Sequence, residues 1–213
     1  MGGIQTQVIP VEQIVEEAAP YTDILERETL ATYIQVFTLA HVATPGGVSL
    51  EVGTRAGGSA LMFLQTLKVM YEEPPLLVTV DPYGEKPYPR GVIDPLEYKY
   101  GDDYYLTAKK LLAPFPNHLH FNIRSEDFWK LKDVPVWRDG SARSLTDLTF
   151  AFLDGDHSPH AIVVDSANAL QAMRPGGILL IDNVDWTLND VTGVIQTMAR
   201  LVERGKRWAA FQK

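Results

Sequence analysis

Two sets of residues in this 213-residue chain have types and spacings that could do chemistry. The first is Asp154-Gly155-Asp156-His157, which follows the apolar run Leu148 to Leu153, together with Asp182-Asn183, which follows Ile178-Leu179-Leu180-Ile181. An imidazole can exchange a proton near neutral pH, and two carboxylates at neighbouring strand ends would repel unless a cation lay between them. The second set is the stretch Ser49 to Leu64, SLEVGTRAGGSALMFL, with Asp81 after the run Leu76 to Val80. Gly53, Gly57 and Gly58 permit a tight turn between a buried strand and a helix, and the free amides where that helix begins suit a carboxylate or phosphate. An acid that ends the next strand, as Asp81 does, is placed to accept the two hydroxyls of a ribose.

The elements that must hold these residues follow from periodicity. Short apolar runs at Ser49–Val52, Leu76–Val80, His118–Ile123, Leu148–Leu153 and Ile178–Ile181 read as strands, with a last candidate at Trp208–Phe211. Helical spacing separates them. Asp23 and Glu26 resemble a capping box that opens a helix to about Ala43, with Leu30, Tyr33, Ile34, Phe37 and Ala40 as its apolar stripe. Ser125 is positioned as an N-cap with acidic Glu126 and Asp127 in the first turn, Ser158-Pro159 opens a helix through Ala172, and a final amphipathic helix is expected from about Asp190 to Glu203. Lys130 to Thr146 reads as surface loop.

Such alternation predicts an α/β fold, a doubly wound and mainly parallel sheet whose ligands lie beyond the carboxyl ends of the strands. The expected organisation is one compact unit: residues 1–47 as a helical cap or lid, residues 48–213 as the nucleotide-cofactor domain. Within it, residues 82–103 form an insert rich in Tyr, Pro and Gly, and Tyr83, Tyr88, Tyr98, Tyr100, Tyr104 and Tyr105 could line a substrate wall.

Composition limits the partners. Nineteen Lys and Arg against 27 Asp and Glu give a formal charge of −8, which disfavours nucleic acid and anionic membranes and leaves a small molecule as the expected partner. The absence of cysteine excludes disulfides and a thiol nucleophile, and no signal peptide or membrane span is visible, in keeping with a cytoplasmic location.

Taken together, these motifs resemble the class I S-adenosylmethionine-dependent methyltransferases from Ser49 to the end. The likeness rests on Glu51, Gly53, Gly57 and Ser59 of the cradle, the ribose acid Asp81, the pair Ser125-Glu126 on the adenine side, and the Arg174-Pro175-Gly176-Gly177 turn. The resemblance implies that Thr54, Arg55 and Asp154 also border the cofactor. Phe152-Leu153-Asp154-Gly155-Asp156-His157-Ser158 is closest to the methyltransferase 24 group, and with Ile181-Asp182-Asn183-Val184 it resembles the metal-dependent O-methyltransferases that act on catechols, caffeoyl-CoA and macrolide sugars. That likeness implies a divalent cation, Mg²⁺ or else Mn²⁺ or Ca²⁺, on Asp154, Asp182 and Asn183. The lysine base of the catechol enzymes is missing, which leaves His157 or Asp154 to take the proton. The function expected is O-methylation of a small-molecule hydroxyl; the alternatives are a metal-independent methyltransferase or a nucleoside-binding protein without turnover. The family usually ends in a two-stranded hairpin, and the single candidate strand here means that the seventh strand is missing or that a partner chain or the N-terminus supplies a replacement, with a homo-oligomer the expected cover for the exposed edge.

Overall fold

The computed structural model describes residues 4–5, 7–22, 24, 26–83, 102–133, 135–138, 141–183 and 189–213. After α1 (Val11–Ala18), a 3-10 turn (Ala19–Tyr21) and α2 (Arg27–Ala43), the chain enters β1 (Val48–Val52), α3 (Gly58–Met70) and β2 (Leu77–Val80). It continues through α4 (Asp102–Leu112), β3 (His118–Phe121), α5 (Ser125–Leu131), β4 (Val136–Arg138), β5 (Ser141–Arg143), β6 (Leu148–Leu153) and α6 (Pro159–Ala172). The last elements are β7 (Met173–Asp182), α7 (Asn189–Gln196), β8 (Arg200–Arg204) and β9 (Trp208–Gln212).

Seven strands form one sheet in the order β3-β2-β1-β6-β7-β9-β8. The first five run parallel, and β9 is antiparallel to both β7 and β8. The central strands are apolar at nearly every position because both faces are covered. Alternate residues serve opposite layers. Phe150, Phe152, Leu77 and Leu180 pack against α1, α2 and α3, while Ala151, Leu153, Val78 and Leu179 pack against α5, α6 and α7.

The expected missing strand is present. Residues Arg200–Arg204, read from spacing as the end of the last helix, form β8, because α7 stops at Gln196 and a turn through Met198 redirects the chain. β8 is an edge strand with Arg200, Glu203 and Arg204 on its exposed positions, a charge pattern that blunts edge pairing, so the case for an oligomer based on an uncovered edge falls away. Two smaller corrections concern the connections. The region expected as loop between Lys130 and Thr146 contains the antiparallel β4–β5 pair. Helix α2 starts at Arg27 with Glu26 as its N-cap residue, and Glu26 makes no side-chain cap bond; Asp23 lies outside the described residues.

The N-terminal helices serve as a packing layer. Helix α2 lies on β6 and β7, and the Tyr21–Thr22 backbone sits so close to the start of α3 that a Cβ on Gly58 would come within 2.7 Å of it. The segment therefore closes over the first turn of the cradle helix. No helix among the described residues is long and apolar enough to cross a membrane.

Candidate functional site

Strand β1 ends in the cradle. Gly53 takes φ +94° and Gly57 φ +90°, and a Cβ on Gly53 would lie 2.1 Å from the Asp154 carbonyl oxygen, so only glycine lets β1 and β6 meet at this point. Gly57 is the left-handed residue before α3, and Arg55 between them also has positive φ, +46°. The turn is held from outside by Asp81, whose Oδ2 accepts the backbone N–H groups of Thr54 and Arg55, each at 2.8 Å. The Tyr83 hydroxyl donates to the Arg55 carbonyl, and the Arg55 guanidinium lies 5.3 Å from the centre of the Tyr104 ring.

This arrangement leaves polar atoms without partners. Glu51 is fully buried; its Oε1 accepts the Ser59 hydroxyl, while its Oε2 has no partner. Asp81 Oδ1 and the Thr54 hydroxyl are likewise buried and unpaired. Burial pushes the Glu51 carboxyl up to about 8, tempered by the Ser59 hydrogen bond, and it pushes Asp81 up to about 6, tempered by the two backbone N–H groups. Three unsatisfied polar atoms around one glycine turn are what a polar ligand docking there would satisfy.

At the start of α5 the structure revises the capping expectation. Arg124 occupies the N-cap position of α5, and Ser125 is the first helical residue. The buried carboxylate of Asp165 on α6 accepts Trp129 Nε1 at 2.7 Å. Burial pushes Asp165 up to about 6, tempered by Trp129 and Ser125. Glu126 is exposed on the surface. Of the six tyrosines expected to line a substrate wall, Tyr88, Tyr98 and Tyr100 lie outside the described residues. Tyr83 is buried with its ring 5.2 Å from Tyr105 and 5.3 Å from His120, and these three border a cavity of about 360 Å³ that Lys109 and His118 also line.

The second cluster stands at the carboxyl ends of β6 and β7. Asp156 is absorbed by local structure: its Oδ1 accepts the Ser158 N–H at 2.8 Å, and Ser158 in turn caps α6 as expected by accepting Ala161 N–H. His157 Nε2 lies 3.7 Å from Asp154 Oδ1 and 3.2 Å from Asn183 Nδ2. Asp182 is buried, and its Oδ1 accepts the Tyr33 hydroxyl of α2 at 2.6 Å. Burial first, and then the Asp182 charge, hold the Tyr33 phenol far above its usual range, so it remains a donor and is no base. Asn183, at φ +56°, accepts the guanidinium of Arg207 on its Oδ1. Asp185 and Trp186 lie outside the described residues.

Tyr33 and Arg207 are the site residues that sequence reasoning missed. Tyr33 was legible only as one member of an apolar stripe. The signal for Arg207 lies in the hairpin: Asp182 pairs with Trp208 across the β7–β9 ladder, so continuing the antiparallel register sets Asn183 opposite Arg207.

The donor set expected for a divalent cation is thus already engaged. One Asp182 oxygen holds the Tyr33 hydroxyl, and the Asn183 oxygen holds a guanidinium. Among the described residues no group of three or more His, Asp or Glu side chains could hold a metal ion. With a guanidinium on the Asn183 oxygen, the positive charge already beside these ligands opposes a divalent ion, and this arrangement does not fit one.

Comparison with known proteins supplies the family. The profile of the methyltransferase 24 family, described as a methyltransferase domain, matches residues 50–184, which contain the cradle, Asp81, Asp154 and Asp182. No curated protein matches the chain. Among solved structures, the calicheamicin methyltransferase CalS11 is similar with a TM-score of 0.62 at 13% identity, covering 98% of this chain and 95% of that one. The O-methyltransferase TomG from Streptomyces achromogenes, solved with S-adenosylmethionine, gives 0.56 at 16% identity, covering 98% and 91%. An O-methyltransferase from Bacillus cereus in complex with S-adenosylhomocysteine gives 0.52 at 15% identity, covering 97% and 92%. Those likenesses describe the fold, and the family match spans well over half the sequence. This chain belongs to the methyltransferase-domain family of class I S-adenosylmethionine-dependent methyltransferases.

Proposed function

We propose that the protein transfers the methyl group of S-adenosylmethionine to a hydroxyl oxygen of a small molecule. The observation that carries this reading is the trio of buried, unpaired polar atoms at the cradle: Glu51 Oε2, Asp81 Oδ1 and the Thr54 hydroxyl. Asp81 Oδ1 would accept from the ribose, Glu51 and the turn through Gly53, Thr54, Arg55 and Gly57 would border the methionine part, with Ser59 orienting Glu51. Ser125 and Glu126 flank the adenine side. The acceptor then enters at the ends of β6 and β7, next to Asp154. Its oxygen attacks the methyl carbon as the carbon–sulfur bond breaks, giving a methyl ether and S-adenosylhomocysteine, and the hydroxyl proton leaves to a base.

His157 is the proposed base, with Asp154 as the alternative. A guanidinium has no acceptor atom, so the atom of Asn183 that faces Arg207 is its oxygen, and the amide nitrogen faces His157. That amide donates to Nε2, so Nε2 takes the acceptor's proton when the incoming hydroxyl displaces the Asn183 N–H.

The test uses methyl-labelled S-adenosylmethionine and a panel of phenolic and sugar hydroxyl acceptors, with and without a chelator. Label recovered in a methyl ether is expected. For His157→Ala the limiting rate falls by about 10²-fold or more and the inflection near neutral pH disappears. Transfer to nitrogen or carbon acceptors alone would overturn the oxygen assignment, and an unchanged pH profile in His157→Ala would move the base to Asp154.

A further inference from the structure

The acceptor end brings together two carboxylates, Asp154 and Asp182, the imidazole of His157, the phenol of Tyr33, and one guanidinium, Arg207. Arg207 is placed by the backbone. It lies in the tight β8–β9 turn, where Gly205 N–H bonds the Trp208 carbonyl, and the β7–β9 register sets it opposite Asn183. Side chains facing each other across an antiparallel pair have Cβ atoms about 5 Å apart, close enough for the guanidinium to meet the amide oxygen.

We propose that Arg207 is a built-in cation that stands in for the divalent ion at the acceptor end, a step that rests on the methyl-transfer reading above. When the acceptor loses its proton, negative charge appears on an oxygen beside Asp154 and Asp182. A positive charge must lie near for that to happen. The Arg207 guanidinium supplies it permanently and fixes the Asn183 amide so that its nitrogen faces His157. It also occupies the Asn183 oxygen that a metal would need. Arg207 is a positioning residue: it acts on the reacting oxygen by its charge and on His157 through Asn183.

Mn²⁺ binding followed by electron paramagnetic resonance tests this on the intact chain. The wild type should show no saturable Mn²⁺ site up to about 1 mM. Arg207→Met removes the charge and keeps the stem; it should gain a site at least roughly tenfold tighter, and Asp182→Asn added to it should abolish that gain. Arg207→Lys should behave as the wild type. The turn position is exposed, so these variants are expected to fold. A wild-type Mn²⁺ site that Asp182→Asn removes would overturn the proposal, as would Arg207→Met binding no more Mn²⁺ than the wild type. Binding of S-adenosylhomocysteine, measured on the same samples, tests the methyl-transfer reading separately, since the Mn²⁺ outcomes do not depend on it.

Discussion

The proposed cofactor end, at the tips of β1 and β2, and the proposed acceptor end, at the tips of β6 and β7, share the carboxyl edge of one sheet but are built by different means. At the cofactor end, β1, its glycine turn and the start of α3 are one continuous stretch, and the contacts that shape it are largely backbone: Gly53 against the Asp154 carbonyl, and Thr54 and Arg55 N–H groups on Asp81. Its polar atoms are buried before any ligand arrives and three of them lack partners. At the acceptor end, Tyr33, Asp182, Asn183, His157 and Arg207 come from four separate parts of the chain and satisfy one another through side chains. One end is preorganised by chain geometry and left polar and unsatisfied for a ligand. The other is a network that a ligand must join or displace.

The largest expected effect tests the backbone character of the cofactor end. Gly53→Ala adds a Cβ 2.1 Å from a carbonyl oxygen at a φ of +94°, and it should cost about 3 kcal/mol or more in urea unfolding. A loss under about 1 kcal/mol would mean that β1 and β6 can separate there, and the contrast would fail.

Next comes the charge stored in the cradle. Glu51 has a folded-state value of about 8 against an ordinary 4.5, so the stability its proton contributes is complete below about pH 4.5 and is lost as pH rises through about 8. Across that window Glu51→Gln should flatten the apoprotein's stability–pH curve and raise stability at pH 8.5 by roughly 2–3 kcal/mol, measured by urea unfolding. An unchanged slope would show that Glu51 is not the group titrating.

Tyr33→Phe probes the other end. It removes a hydrogen bond to a buried carboxylate and should cost about 2 kcal/mol of stability. The affinity for S-adenosylhomocysteine should stay within about twofold, because the Tyr33 hydroxyl bonds Asp182 and none of the cradle residues. A large affinity loss would join the two ends that are here kept apart. The smallest effect is Ser158→Ala: the helix α6 loses its cap at a cost of about 1 kcal/mol in thermal or urea unfolding, with His157 left in place.

The same contrast explains what was legible in the sequence. The cradle, Asp81 and the Ser158-Pro159 helix start are local patterns, and the residues that carry them are neighbours in the chain. Asp154, Asp182 and Asn183 were found because each ends an apolar strand, and parallel strands deliver their ends to one edge. Tyr33 was hidden because its ring belongs to an apolar stripe and only its hydroxyl, reaching Asp182 from a distant helix, does otherwise. Arg207 was hidden with the hairpin: Leu201 and Val202 continue the helical spacing of α7, and the turn at Thr197–Ala199 that ends the helix contains no glycine or proline. Ser125 looked like a cap because local chemistry allows it, yet α5 starts one residue earlier than that expectation, with Arg124 at the N-cap position and Ser125 already helical.

Calorimetric titration of S-adenosylhomocysteine into the wild type and Asp81→Asn, with and without Mg²⁺, tests the central claim most directly. The account predicts one saturable site, indifferent to Mg²⁺, with affinity reduced about 10–100-fold in Asp81→Asn, the loss expected when a charged hydrogen-bond acceptor is removed. No binding to the wild type, or equal binding by the variant, would contradict the placement of the cofactor at the β1–β2 cradle.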